Sequence, residues 1–153
     1  MQRETPTLLI EDASLLRGDP RDRWLMWFPI VGWIIAGSRQ YARIRKAQEQ
    51  VASQLRARPS FPTDEWENAD VPVEFAERVA NSLADRMTWL PNNHFSPSDP
   101  LQYILLDEDG MGPFEAMFAI SKDLGVKLKP GCFIRFVTFK DLVVEAHGQP
   151  AAA

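Results

Sequence analysis

Apolar residues recur at helical spacing over most of the chain, and the rhythm is cleanest in its second half. From Val71 to Met87 (VPVEFAERVANSLADRM), Phe75, Val79, Leu83 and Met87 fall every four residues, which places them on one face of a helix. A second helix is predicted over 113–124 (PFEAMFAISKDL), with Pro113 in the first turn and Gly125 as the residue that ends it. Its expected buried face is Phe114, Met117, Phe118, Ile120 and Leu124. A third follows Thr138 (FKDLVVEA), where Asp141 stands three residues beyond the threonine, the spacing of a capping box. Between these helices lie a long loop, Trp89 to Pro100, and a short apolar run, Leu101 to Leu106. An acidic turn follows, Asp107-Glu108-Asp109-Gly110, then an extended stretch over 126–128 and a turn at Pro130-Gly131.

The first half reads differently. Residues 1–23 mix proline, glycine and charge with two apolar pairs, Leu8-Leu9 and Leu15-Leu16. They are expected to form a mobile arm with one turn of helix, and no small-residue cleavage site of a secretory signal follows them. Residues 24–37 (WLMWFPIVGWIIAG) carry no charge and are apolar in every helical direction. As helix, this run of roughly 14 residues is about 21 Å long, short of the roughly 30 Å of a bilayer core. Pro29 and Gly32 favour a bend. Residues 38–58 predict a helix with Ser38 as its N-cap and one apolar stripe of Tyr41, Ile44, Val51 and Leu55. Arginine and lysine dominate its other faces, and Pro59 and Pro62 end it. The organisation expected is thus an arm (1–23), an apolar segment plus basic helix (24–58), a linker (59–70), a helical domain (71–148) and a disordered tail (149–153).

Charge sharpens this division. Residues 1–60 carry 10 Lys and Arg against 6 Asp and Glu, a balance of +4, whereas residues 61–153 carry 7 against 15, a balance of −8. Nucleic-acid binding by the acidic part is thereby disfavoured, since phosphate contact needs positive charge. The apolar segment beside a basic helix is the combination of a membrane-surface anchor. Trp24, Trp27, Phe28 and Trp33 would sit at headgroup depth, with Arg39 and Arg43 on anionic lipid. The competing reading is internal: a small domain could use the same segment to enlarge its core or to oligomerise.

Candidate chemistry is sparse. The single cysteine, Cys132, excludes an internal disulfide, and its neighbours Phe133, Ile134 and Phe136 mark it as a small buried hydrophobe. His94 lies in the long loop and His147 near the end of the chain, with no nucleophile or further metal ligand close in sequence. A calcium loop beginning at Asp107 would need oxygen ligands where Met111 and Phe118 stand, so that motif fails. The reading is non-enzymatic, without metal or cofactor.

The order of these elements resembles acyl carrier proteins over residues 71–148. The features carrying it are a helix, a long loop, an acidic turn, a central helix ending Leu124-Gly125-Val126, and the ending VTFKDLVVEA. Laying Leu128 on the family's final isoleucine puts the attachment triplet Asp-Ser-Leu on Asp109-Gly110-Met111. The serine that would carry phosphopantetheine is therefore Gly110, and Ser121 falls too late on the helix to replace it. The resemblance implies a four-helix bundle that has no attachment hydroxyl, a non-carrier relative of the kind found among bacterial proteins with an Asp-Gly turn at this point. It further implies that the acidic start of the second helix (Asp107, Glu108, Asp109, Met111 and Glu115) meets a protein partner. The expectation is an interaction or adaptor module in the cytoplasm, attached at the inner membrane surface. The alternatives are a true carrier modified at a non-standard residue, or a soluble oligomer with its apolar segment inside.

Overall fold

The structure, a computed structural model, describes residues 5–16, 31–129 and 132–149. Six α-helices and no strand occur among them: α1 (Val31–Arg56), α2 (Thr63–Glu67), α3 (Val73–Arg86), α4 (Leu101–Ile104), α5 (Gly112–Leu124) and α6 (Phe139–Gly148). Two single 3-10 turns, Ala13–Leu16 and Cys132–Ile134, complete the set. The chain is mostly helical, as its apolar rhythm predicts. Trp24, Trp27, Phe28 and the Pro130-Gly131 turn lie outside the described residues.

Local signals account for several helix ends. Thr138 Oγ1 accepts from the Asp141 amide while the Asp141 carboxylate accepts from the Thr138 amide, closing the expected capping box of α6. A further donor, the Val137 amide, joins the Thr138 amide on Asp141 Oδ2, the two at 2.9 and 2.8 Å. Burial acts to raise the Asp141 carboxyl, but these hydrogen bonds outweigh it and hold the group below its ordinary value. Gly125 ends α5 at φ +68°, the left-handed conformation that costs glycine nothing. Ser38, by contrast, is no cap. α1 runs through it, and its hydroxyl bonds back to the Ile34 carbonyl one turn earlier at 2.7 Å. A serine inside a helix satisfies its hydroxyl this way when the residues before it already continue the helix.

One hydrophobic core spans the described residues. α3 and α5 make the broadest helix contact, with α2 and α6 against α3 and the lower part of α1 on α4 and the first 3-10 turn. Within α1 the stripe is buried only at its C-terminal end: Ala47, Val51, Ala52 and Leu55 are covered, whereas Tyr41 and Ile34 are exposed. Residues 59–70, expected as a linker, contain α2 and the fully buried Trp66. Its indole N–H donates to the Phe95 carbonyl at 2.9 Å. Its ring stacks on Phe61 and meets Phe139 edge-on at 5.5 Å. An aromatic ring of this size buries on the order of 150–250 Å², enough to order the short segment that bears it.

Residues 5–16, expected as part of a mobile arm, are docked on the body. Leu8 is fully buried, with Ile10 and Leu15 nearly so. Gln54 clamps the arm from α1, accepting from the Leu9 amide and donating to the Leu9 carbonyl. A buried ion pair completes the junction. The Arg58 guanidinium reaches both Asp99 carboxylate oxygens, at 2.6 and 2.8 Å, and donates also to the Pro6 and His94 carbonyls. Asp99 accepts in addition from the Leu8 and Ser96 amides. Arg58 thus ties the arm, the end of α1 and the loop before α4 together, and its charge is spent inside the fold.

Candidate functional site

The acidic turn and the start of α5 are shaped by two glycines. The chain turns at Asp107–Gly110, where the Gly110 amide donates to the Asp107 carbonyl at 3.3 Å. The Asp107 carboxylate takes the Glu108 amide at 2.7 Å, and Asp109 takes the Met111 amide at 2.9 Å, short local bonds of the kind aspartate makes in turns. Gly110 sits at φ +74°, a conformation L side chains rarely adopt. Two residues later, a Cβ on Gly112 would lie 2.1 Å from the Leu105 carbonyl oxygen, so α5 can begin here only with glycine.

The face that α5 buries is the expected one only in part: Ile120 is in the core and Met117 and Leu124 pack against it. Gly112, Ala116, Ala119 and Ile120 are covered. Phe114 is 53% exposed and Phe118 60% exposed, contrary to their expected place in the core. The reason lies in the partner helix. α3 buries Ala76, Val79, Ala80, Ser82 and Leu83, and small residues on both helices allow a close approach that two phenylalanines would prevent. Ser82 donates across this contact to Asp123 at 2.7 Å. The phenylalanines are turned outward and join Met111, itself 45% exposed. Positions 111, 114 and 118 stand three and four apart, which aligns them on one face.

Carboxylates surround this apolar stripe. Asp109 is exposed, with Asp107, Glu108 and Glu115 half-buried. Burial, together with the carboxylates of Asp109 and Glu115, pushes the Asp107 carboxyl above its ordinary value. Glu115 pairs with Arg86 at 3.4 Å and Glu108 with Arg45 at 4.0 Å, both solvent-exposed contacts worth at most about 1 kcal/mol. α1 also reaches this end of the molecule through Gln48, whose side-chain amide donates to the Leu106 carbonyl at 3.0 Å.

Asp107, Glu108, Asp109, Met111 and Glu115 are therefore brought together, and the structure adds Phe114 and Phe118 to them. Of the residues expected at a membrane, Arg39 is exposed and Arg43 half-buried on α1, and Trp33 lies in its first described turns. No helix among the described residues is long and apolar enough to cross a membrane. Cys132 is buried, and desolvation, aided by Glu145, pushes its thiol above its ordinary value, which opposes nucleophilic use. The His94 ring bonds the Arg58 carbonyl at 2.9 Å, and His147 lies edge-on to Phe75. Among the described residues no group of three or more His, Cys, Asp and Glu side chains could hold a metal ion. Comparisons with protein-family models, curated proteins and solved structures find no match.

Proposed function

We propose that this chain is a non-enzymatic interaction module whose α5 face docks a protein partner bearing apolar anchors flanked by lysine or arginine. The observation that carries this is the exposed Met111–Phe114–Phe118 stripe bordered by Asp107, Glu108, Asp109 and Glu115. Two half-exposed phenylalanines beside a methionine are poor surface residues unless something covers them, and the carboxylates favour a basic partner over an acidic one. A helix laying an apolar stripe edged with positive charge along α5 fits both features.

The acyl-carrier resemblance belongs to this reading. What supports it is the succession of α3, a long loop, α4, the acidic turn, α5, a 3-10 turn and the capped α6. A prosthetic arm does not fit it, because Gly110 has no hydroxyl and its backbone conformation disfavours a serine. The upper part of α1 is assigned to an anionic membrane surface at the cytoplasmic side. Ile34, 63% exposed, and Tyr41 accompany Arg39, Arg43, Arg45 and Lys46 on this largely uncovered stretch. The module would then be held peripherally, with α5 presented to partners.

Fluorescence anisotropy with a labelled basic amphipathic helical peptide tests the docking face. Wild-type chain is expected to bind it in a salt-sensitive manner, and the pair F114S/F118S to bind about tenfold more weakly or worse. Equal affinity for both proteins would show mere charge attraction and remove the docking role. Flotation with phosphatidylserine vesicles, comparing the full chain with one in which Arg39, Arg43, Arg45 and Lys46 become glutamine, tests the membrane role. Failure of the wild-type chain to float would end it.

A further inference from the structure

On another side of the molecule, the docked arm, the start of α2 and the loop before α4 border an open cleft of about 640 Å³ lined by both hydroxyl and apolar groups. Small-molecule sites commonly run from about 300 to 1,000 Å³. Thr5 and Thr7 line one side, Phe61 and Glu65 a second, Ser96 and Ser98 a third. The hydroxyls are linked. Thr7 Oγ1 lies 3.3 Å from Ser98 Oγ, which lies 3.2 Å from Ser96 Oγ, and Ser96 in turn donates to Glu65 Oε2. Glu65 Oε1 takes the Thr5 amide at 2.6 Å.

The electrostatics of this cleft are one-sided. Glu65 and Asp64 both line it, and no lysine or arginine does among the described residues. Burial acts to raise the Glu65 carboxyl, but the Ser96 and Thr5 hydrogen bonds and the charge of Arg58 outweigh it, so the group sits below its ordinary value and is ionised at neutral pH. Arg58 does not neutralise it by contact, because its guanidinium is bonded to Asp99 and two carbonyls. Each carboxylate oxygen keeps acceptor capacity beyond the bond it already receives. The threonine and serine hydroxyls accept as readily as they donate. The Phe61 ring, backed by Trp66, adds an aromatic surface for a methylene chain or a cation.

We propose that this cleft binds a ligand carrying a primary alkylammonium group, with Glu65 as its counter-ion, the Thr7 and Ser98 hydroxyls as further acceptors and Phe61 against its carbon chain. Three N–H donors on one compact charge match a carboxylate flanked by hydroxyl acceptors, and an anion would meet two carboxylates where no lysine or arginine lines the cleft among the described residues. The group could arrive on a free diamine or on a lysine side chain, chemically alike at this site. The inference is independent of the α5 surface.

Amide chemical-shift titration of the full chain tests it. The probes are 1,4-diaminobutane, its fully N-methylated analogue, 1,4-butanediol and the peptide Gly-Lys-Gly. The diamine is expected to give saturable shifts at residues 5–7, 60–68 and 96–98, weakened by added salt. The methylated analogue, which keeps the charge and lacks the donors, should bind several-fold more weakly, and the diol should not bind. E65Q, which keeps an acceptor for Ser96 or Thr5 and removes the charge, should lose about tenfold in affinity, the scale of one hydrogen bond to a charged group. If E65Q fails to fold, D64N and the probe series decide on the wild-type fold. A stronger response to Gly-Lys-Gly than to the diamine assigns the cleft to lysine side chains, and the reverse to free amines. Diol shifts equal to the diamine's, equal binding of the methylated analogue, or unchanged affinity in E65Q would each overturn the proposal.

Discussion

Two groups of carboxylates in this molecule meet opposite fates. Asp99 is fully buried and receives four hydrogen bonds, two from the Arg58 guanidinium and two from backbone amides. Asp107, Glu108, Asp109 and Glu115 stand together at the surface, where exposed ion pairs at 3.4 and 4.0 Å balance only part of their charge. The first arrangement locks the arm, α1 and a loop into one unit. The second raises the energy of the isolated chain slightly and leaves an acidic, partly apolar surface. The contrast separates what holds the fold from what is available to a partner, even though both sets are drawn from the same residue types.

Breaking the buried junction should do most damage. R58A leaves the Asp99 charge buried without its partner, for a loss of about 3–5 kcal/mol by chemical denaturation. A loss under about 1 kcal/mol would mean that the arm is not held by this pair. G112A comes next. Its Cβ would collide with the Leu105 backbone, and displacing α5 is expected to cost about 1–3 kcal/mol. Full stability in that variant would show that α5 need not approach so closely.

D141A removes the reciprocal cap of α6 and should cost about 0.5–2 kcal/mol at neutral pH. The sign of its pH dependence follows from the lowered carboxyl. The Asp141 contribution is complete above the ordinary carboxylate range and is lost as pH falls through its lower folded value, so wild type and variant should converge in acid. Asp107 has the opposite sign. Its carboxyl is raised in the folded chain, so its ionisation disfavours folding as pH rises through the carboxylate range. D107N should therefore melt slightly higher than wild type at neutral pH, with the gain vanishing in acid. Replacing Phe114 or Phe118 by serine should change stability least, within about 0.5 kcal/mol, because neither side chain is in the core. A large loss in either would return that ring to the core and remove it from the docking surface.

Features governed by near neighbours were legible from the residues alone. The Thr138–Asp141 box, the Gly125 helix end, the Pro113 start and the turn at Asp107–Gly110 each depend on a few adjacent residues whose dihedrals and donors interact directly. The acidic half of the candidate surface was equally plain. Ser38 has the sequence look of a cap because it precedes a periodic stretch, whereas the residues ahead of it are already helical. Phe114 and Phe118 depart from the expected face because the run Phe114 to Ile120 is apolar on more than one side and offers several possible buried faces. Ala116 and Ala119 compete poorly with phenylalanine by hydrophobicity alone, and they win through the fit against α3.

That this chain is mostly helical, where its best-marked helices begin and end, and that its two parts differ in charge can all be read from the residues in order. These follow from local spacing and composition, which act over a few residues. Tertiary structure decided that Leu8 and Trp66 belong to the core rather than to an arm and a linker. It also paired Arg58 with Asp99 across 41 positions, turned two phenylalanines outward, and gathered Thr5, Glu65 and Ser96 around one cleft. Such outcomes depend on which surfaces approach most closely and which buried groups find partners, and those conditions exist only once distant segments are packed together.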